Sequence, residues 1–558
     1  MGLIRVALAQ LNLRVGDFDS NVAAITDAYD QSAALDADLA VFSELAVCAY
    51  PPEDLLLKQR FIDDAQRALE AIASHASDTV AIVGFPEQEN DELYNSVAVC
   101  HQGQVRGIYR KRLLPNYSVF DEKRYFVAGA TEGPLFEIAG VLTGVCICED
   151  LWFDEGPFGS QIEAGAALGI SVNGSPYQRG KHAARVAAIT DRARTDKVPI
   201  VYVNQVGGQD ELVFDGSSFV ADAHGAVIAR LPQFEEAVEV VDIEVSSRPQ
   251  GDLPVLTTSL EPERREPLTT RPMAEPHSGT GEVWKALVLA TRDYVNKNGF
   301  SDVVIGLSGG VDSSLVAAIA VDALGPQRVH GVSMPSRYSS AGSQDDAAEL
   351  ALNLAIDFHT IPIEPAHASM IEMLDPLFSG HDPDLTEENL QSRIRGVLLM
   401  ALSNKKGWLV LTTGNKSETS VGYSTLYGDT AGGFAVLKDC PKLLVYDLCR
   451  WRNSQTNTPW IPEASISKPP SAELRPEQTD EQSLPPYELL DPLLEEYIEQ
   501  DRTAAELVSG GYDSEMVERI TGLVDLAEYK RRQSPPGPRI SAKAFGKDRR
   551  LPITNRYR

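Results

Sequence analysis

The chain has 558 residues, 43% hydrophobic and 23% charged, which is the composition of an ordinary globular protein. At that length it holds about two or three domains, each able to bury a core without staples. The formal charge of −30 argues against a nonspecific nucleic-acid surface, while leaving room for a nucleotide pocket lined locally by Lys and Arg. Six cysteines are too sparse for a disulfide framework and point to a reducing compartment. The start, MGLIRVALAQ, enters a strand at once, and no stretch reaches the roughly 18 apolar residues that span a bilayer. These features read as a cytoplasmic protein that binds neither membrane nor nucleic acid.

In chain order, residues 4–10 alternate as a strand, 21–35 have helical period, and 38–42 form a second strand that ends in Ser43-Glu44. A helix over 60–74 and a strand over 79–85 follow, and the alternation continues to a strand at 201–204. That pattern is the signature of a covered α/β sheet.

Three positions in this half stand out. Glu44 lies just past a buried-looking strand, where partial desolvation can make a carboxylate a better base near neutrality. Lys111 sits in YRKRLLPNYSVFDEKRYF, and Cys148 ends the strand-like GVCIC before Glu149-Asp150. Each has a plainer reading, as a loop acid, a solvated charge and a core thiol respectively. Cys146, two residues before Cys148, would share its strand face and reads as core.

Taken together, FSE around Glu44, YRKRLLP around Lys111 and CED at Cys148, with NGSPY (173–177) and FDGSS (214–218), resemble the nitrilase (carbon-nitrogen hydrolase) superfamily over about residues 3–245. The resemblance implies an α-β-β-α sandwich that cleaves amides through a thioester. In it Cys148 is the nucleophile and Glu44 its general base. Lys111 is a cation that lowers the thiol pKa and stabilises the oxyanion. Glu122 is the best match to a second superfamily glutamate. Members fused to a synthetase would place a glutamine side chain near Tyr117, Ser175 and Lys181. His182 is expected to start a helix over 182–195 rather than act as a base.

Between about 246 and 277 six prolines and many charges break the periodicity and mark a connector, either a tether or a segment laid over the domains. The expected division is therefore 1–246, a linker over 247–277, and 278–558.

After a helix over 283–296, the stretch VVIGLSGGVDSSL (303–315) reads as strand, glycine loop and helix. Its amides, together with the helix N-terminus, can cradle a phosphate or pyrophosphate. The lysine of the GxxxxGK[ST] loop is missing, and Asp312 inside the loop would repel bare phosphate, so a divalent metal is implied. SGGxDS resembles the pyrophosphate loop of enzymes that activate a carboxylate as its adenylate. Strands at 329–334, 358–363 and 408–413 and helices at 345–354 and 387–404 extend the βαβα pattern to a second, doubly wound parallel sheet. The helix over 387–404 carries Asn389, Arg393 and Arg395, on a bare reading two solvated arginines on an amphipathic helix. The strand at 408–413 delivers Thr412 to Asn415 into a loop, and Glu418 facing Asp312 would complete a magnesium site.

SRIRGVLLMALSN, GNKSETSVGYSTLYGD and EYKRRQSPPGPR resemble the NAD synthetase family, and the whole chain its glutamine-dependent branch, a nitrilase-type glutaminase fused to a synthetase domain of the adenylating ATP-pyrophosphatase type. The resemblance implies amidation of deamido-NAD through an adenylate, with glutamine, ATP and deamido-NAD as substrates and Mg²⁺ as cofactor. Gly306, Leu307, Ser308, Gly309, Gly310, Val311, Asp312, Ser313, Ser314 and Thr413 fall in its ATP-binding segments. Asn389, Glu418 and Lys530 match positions that contact deamido-NAD, and Asp312 and Glu418 match the metal ligands, so Glu418 carries two roles. The resemblance also implies an internal ammonia route and a homo-oligomer, at least a dimer. Two rival readings are an amidotransferase with another acceptor, and a nitrilase module that only regulates an ammonia-fed synthetase.

Overall fold

The computed structural model describes residues 2–259, 266–268 and 273–557. It divides into two compact units, Met1–Gln209 with Val213–His277 and Asp210–Leu212 with Ser278–Arg558.

The first unit is built on two mixed sheets. One runs Ala237–Val245, Gly2–Gln10, Leu39–Val41, Val80–Glu89, Glu92–His101, Gln104–Arg110. The other runs Val227–Arg230, Phe219–Ala221, Ile200–Asn204, Leu168–Asn173, Val141–Ile147, Leu135–Ile138, Val255–Thr257. Alternation along the strands decides which layer each residue joins. Ile4, Val6 and Leu8 meet Val145, Ile147, Ile170 and Val172 of the opposite sheet in one shared core. Ala7 and Ala9 turn outward to the helices Phe18–Ala33 and Gln59–His75, and Tyr202 and Phe219 turn outward to the helix Lys181–Asp196. The result is the expected α-β-β-α sandwich.

Part of the proline-rich stretch belongs to this unit. Val255–Thr257 pairs in parallel with residues 135–137, and Leu268 N donates to Asp242 Oδ2 at 2.8 Å. Residues 260–265 and 269–272 lie outside the described residues.

The second unit carries a five-stranded, all-parallel sheet in the order Asp357–Thr360, Val329–Ser333, Val303–Gly306, Leu409–Thr412, Phe434–Ala435. Chain order reverses between the third and fourth strands, so the loop after Gly306 opens at a topological switch point, where open α/β sheets bind ligands. The helix Val311–Leu324 starts on that loop and is buried nearly all round, while Ile394 and Leu399 of the helix Leu385–Lys406 cover Val304 and Val410 on another face. Arg393 is exposed as expected, whereas Arg395 is only partly so; its Nε donates to Met334 O at 3.0 Å, and burial pushes its pKa down to about 10. The reading of two solvated arginines therefore holds for one of them.

No helix among the described residues is long and apolar enough to cross a membrane.

Gly309 makes a very close backbone approach in the second unit. Its φ is +78°, and a Cβ there would stand 2.1 Å from Ser343 O. Substitution by alanine is expected to cost at least about 1–3 kcal/mol from backbone strain alone, read as a lowered thermal midpoint, and to displace the loop from the helix Ala341–Leu354. An unchanged midpoint in Gly309→Ala would contradict this account of the close approach.

Candidate active sites

In the first unit four of the candidate positions emerge just past strand C-termini. Glu44 follows Leu39–Val41, Lys111 follows Gln104–Arg110, Cys148 follows Val141–Ile147, and Gly174-Ser175 follow Leu168–Asn173. The Lys111 side chain has no exposed surface, and Nζ donates to Glu44 Oε1 at 2.7 Å and to Glu122 Oε1 at 2.8 Å. Burial alone would lower the Lys111 pKa, but Glu122 and Glu44 outweigh it and hold the ammonium charged. Glu44 also accepts from Asn95 Nδ2 at 2.7 Å and from Gly174 N at 2.8 Å. Glu122 opens a single-turn 3₁₀ helix and accepts from the Tyr50 hydroxyl at 3.3 Å; burial pushes its carboxyl upward against the pull of Lys111.

Cys148 departs from the strand-face expectation. The strand ends at Ile147 and Cys148 takes φ 45°, opening a 3₁₀ turn through Leu151. A left-handed backbone on a residue with a Cβ costs about 1–2 kcal/mol, so this turn is held by its surroundings. It puts Cys148 in the inter-sheet core with Val145 and Ile147, while Cys146 packs in the outer layer with Phe158 and Ile189. The two thiols therefore share no face. Cys146 is core, as read, with its Sγ 3.7 Å from Gln161 Oε1.

The thiol also departs in its ionisation. Lys111 does lower the Cys148 pKa, but burial, joined by Glu44, pushes it well above the ordinary thiol value. Cys148 therefore rests as a thiol, and any attack by its sulfur would need a base beside it.

The three residues expected at a glutamine side chain lie around this thiol. Tyr117, 54% exposed, donates its hydroxyl to Glu149 Oε1 at 2.8 Å. Lys181 begins the helix Lys181–Asp196, and its charge acts on the same Glu149. Ser175 is buried, its N–H donating to Asn204 Oδ1 at 2.9 Å. His182 lies in that helix as expected, 2.8 Å from Ser217 Oγ, and burial lowers its pKa to about 4.

In the second unit the loop residues Ser308 to Ser314 are tied internally. Gly310 N donates to Ser308 Oγ at 3.2 Å, and the Ser313 and Ser314 hydroxyls donate to Gly310 O. Asp312 and Glu418 face a shared cation, the Lys442 ammonium, which stands 2.5 Å from Asp312 Oδ2 and 3.6 Å from Glu418 Oε1. Asn415 Nδ2 donates to Asp312 Oδ1 at 2.9 Å. Glu418 lies on the short helix Lys416–Val421, which Asn415 caps, rather than in a loop. Burial raises its pKa, and Lys442 opposes the shift.

Two carboxylates converging on one positive charge are a donor set that fits hard Mg²⁺. No group of three His, Cys, Asp or Glu among the described residues could hold a metal, so an ion here would take its other ligands from substrate oxygens and water.

Glu418 also lines a cleft with Thr412, Gly414, Ser424, Asp429 and Lys438. The other expected dinucleotide residues gather on the rim segment 422–425. Asn389 Oδ1 accepts from Thr425 Oγ1 at 2.8 Å, and Lys530 Nζ donates to Gly422 O and Ser424 O, both at 2.7 Å. Thr413 follows the strand Leu409–Thr412 at the mouth of this region. Glu418 thus stands where the metal carboxylates and the cleft meet, a position compatible with both roles assigned to it.

Sequence reasoning missed Tyr50, Asn95, Glu149 and Lys442. The first two carry no local signal. Glu149 was visible as the neighbour of Cys148, and Lys442, in DCPKLL, opens the helix Lys442–Ser454 with nothing in its spacing to point at Asp312, 130 residues away.

The sequence pattern of the Carbon-nitrogen hydrolase family matches residues 5–250, and that of the NAD synthase family matches residues 283–534. The chain is 47% identical over 562 residues to the glutamine-dependent NAD(+) synthetase of Xanthomonas campestris pv. campestris (strain 8004), covering 99% of this chain and 98% of that one. It is 46% identical over 575 residues to that of Thermotoga maritima, covering 100% of both. A solved structure of glutamine-dependent NAD+ synthetase from Acinetobacter baumannii in complex with adenosine diphosphate is 43% identical, covers 99% of each chain and gives a TM-score of 0.76.

Because the Cys148 pKa is raised, thiolate is scarce at neutrality and accumulates only as pH climbs past the ordinary thiol range. Alkylation of Cys148 by iodoacetamide, followed by mass spectrometry, is expected to be slow at pH 7 and to rise steeply in alkali. A rate already at its plateau at pH 7 would mean a preformed thiolate instead.

Proposed function

This chain belongs to the glutamine-dependent NAD(+) synthetases, and we propose that the two units divide the reaction between a buried thiol site and an adenylation site. It hydrolyses glutamine and uses the ammonia to amidate deamido-NAD, ATP going to AMP and pyrophosphate, the final step of NAD biosynthesis. The observation that carries the residue assignment is the contact of one fully buried lysine with Glu44 and Glu122, in the field of the Cys148 thiol.

In the first unit, Cys148 Sγ attacks the side-chain carbonyl carbon of glutamine as its proton passes to Glu44. Negative charge gathers on the carbonyl oxygen, and the Lys111 ammonium meets it in a site with no bulk water to screen it. Collapse breaks the C–N bond, the proton on Glu44 goes to the departing nitrogen, and ammonia leaves a thioester. Water, giving its proton to Glu44, then attacks the thioester; release of the thiol yields glutamate. Lys181 suits the α-carboxylate, Tyr117 and Ser175 the rest of the substrate, and Glu149 offers a negative partner for the α-ammonium. Glu122 is the second carboxylate that holds Lys111.

In the second unit, the amides and hydroxyls of Ser308 to Ser314, with Thr413, hold ATP. Asn389, Glu418 and Lys530 hold deamido-NAD, whose carboxylate oxygen attacks the α-phosphorus as pyrophosphate leaves. Ammonia then attacks the adenylate carbonyl and AMP departs. A magnesium ion on Asp312 and Glu418 would neutralise charge building on the leaving pyrophosphate. Lys442, already beside both carboxylates, supplies a second positive charge there.

The reading includes a cytoplasmic enzyme that assembles as at least a dimer. The six free, buried cysteines support the first point. Exposed Met373 and Leu377 on the helix Glu364–Phe378, and exposed Val397 and Met400 on the helix Leu385–Lys406 that packs against it, support the second. Met373→Lys with Leu377→Lys is expected to lower the mass found by sedimentation equilibrium, and an unchanged mass would place the interface elsewhere.

AMP release from ATP and deamido-NAD, measured in parallel with glutamine and with ammonium, tests the division of labour. Cys148→Ala should abolish the glutamine-fed rate and leave the ammonium-fed rate within about 2-fold. Excess chelator should stop both. Equal loss of both rates in Cys148→Ala would sink the assignment of glutamine hydrolysis to Cys148.

A further inference from the structure

One buried carboxylate ties the chain that carries Lys111 to the turn that carries Cys148. Asp150 has no exposed surface, and each of its oxygens accepts two hydrogen bonds. Oδ1 takes the backbone N–H groups of Arg112 at 3.1 Å and Leu113 at 2.8 Å, the two residues after Lys111. Oδ2 takes the Tyr109 hydroxyl at 2.6 Å, two residues before Lys111, and the N–H of Ile147 at 3.2 Å, the residue before Cys148.

Resting on the glutaminase reading above, we propose that Asp150 is a positioning residue that sets the relation between Lys111 and Cys148, and so fixes the cation where the oxyanion forms. The two residues come from different sheets: the strand ahead of Lys111 is the outermost of the first sheet, and the strand ahead of Cys148 lies inside the second. Among the described residues no backbone ladder joins the two sheets, so their registry at this point draws on side chains. The Lys111 chain has left its strand by Arg112, and its next two amides would be unsatisfied without Asp150. The Cys148 turn starts on a left-handed residue, which stays put only when neighbours over-determine it. A carboxylate suits this task because all four of its partners are donors. An asparagine of the same shape would turn an N–H₂ group toward two of them. Neither Arg112 nor Leu113 has a reason to keep its amide pointed at residue 150 except this bond.

Asp150 touches no reacting atom in this scheme, so its loss should show as a fault of geometry rather than of binding. In Asp150→Asn the glutamine-fed kcat is expected to fall by roughly 10²-fold, the penalty typical of a small misplacement in an active site, while the KM for glutamine moves little. The ammonium-fed rate, run on the other unit, should remain within about 2-fold. The pH profile of Cys148 alkylation should move to higher pH, because a displaced Lys111 no longer lowers the thiol pKa. Tyr109→Phe removes one donor and leaves the three amides in place, and is expected to show the same pattern more weakly; it keeps the test open if Asp150→Asn does not fold.

A full glutamine-fed kcat in either folded variant would overturn the proposal, as would a lost kcat with an unmoved alkylation profile, which describes a merely structural carboxylate. The wild-type protein and Cys148→Ala, assayed beside them, separate the two layers. Glutamine-fed activity that survives Cys148→Ala removes the glutaminase reading itself, whereas loss in Cys148→Ala with none in the Asp150 and Tyr109 variants removes only the role of Asp150.

Discussion

The first unit depends on a lysine that has no water. Taking an ammonium out of solvent costs several kcal/mol even after the protein relaxes, and Lys111 recovers this only because Glu44 and Glu122 both reach Nζ. Two acids around one base leave a buried site that cannot hold every ionised form at once. Burial resolves this by raising Glu122 and the Cys148 thiol, so that the thiol keeps its proton. Glu44, fixed by three donors, is oriented beside them rather than free to wander.

The second unit handles charge differently with the same sheet logic. Its acids, Asp312 and Glu418, keep part of their surface open and share the buried cation Lys442. A site that must accept and release highly charged phosphates needs that exposure, while a site that protects a thioester benefits from dryness. In both units several of the candidate residues stand where strands end, because a strand fixes the backbone up to its last paired residue and the next one or two positions inherit that precision.

Much of this was legible in the chain. The strand-loop-helix at 303–324 and the alternating sheets follow from period and glycine placement, which are local properties. Glu44, Lys111 and Cys148 were legible through their flanks, and Asp312 through its odd place inside a phosphate loop. What stayed hidden depends on folding the chain back on itself. Cys146 and Cys148 obey strand alternation on paper, and only the left-handed turn separates them. Arg395 looks solvated on a helical wheel until Met334 O is found beneath it. Lys442 and Tyr50 meet their partners across long stretches of sequence, and no spacing rule reaches that far.

The short strand Val255–Thr257 has a meaning of its own. It covers the edge of Leu135–Ile138, where Leu135, Phe136 and Ile138 are fully buried. A naked edge with such residues behind it is a template for pairing with other chains. The proline-rich stretch therefore does more than join two enzymes. It pairs the edge of the half of the protein that is synthesised first, and that edge stays unpaired until residues 255–257 have left the ribosome.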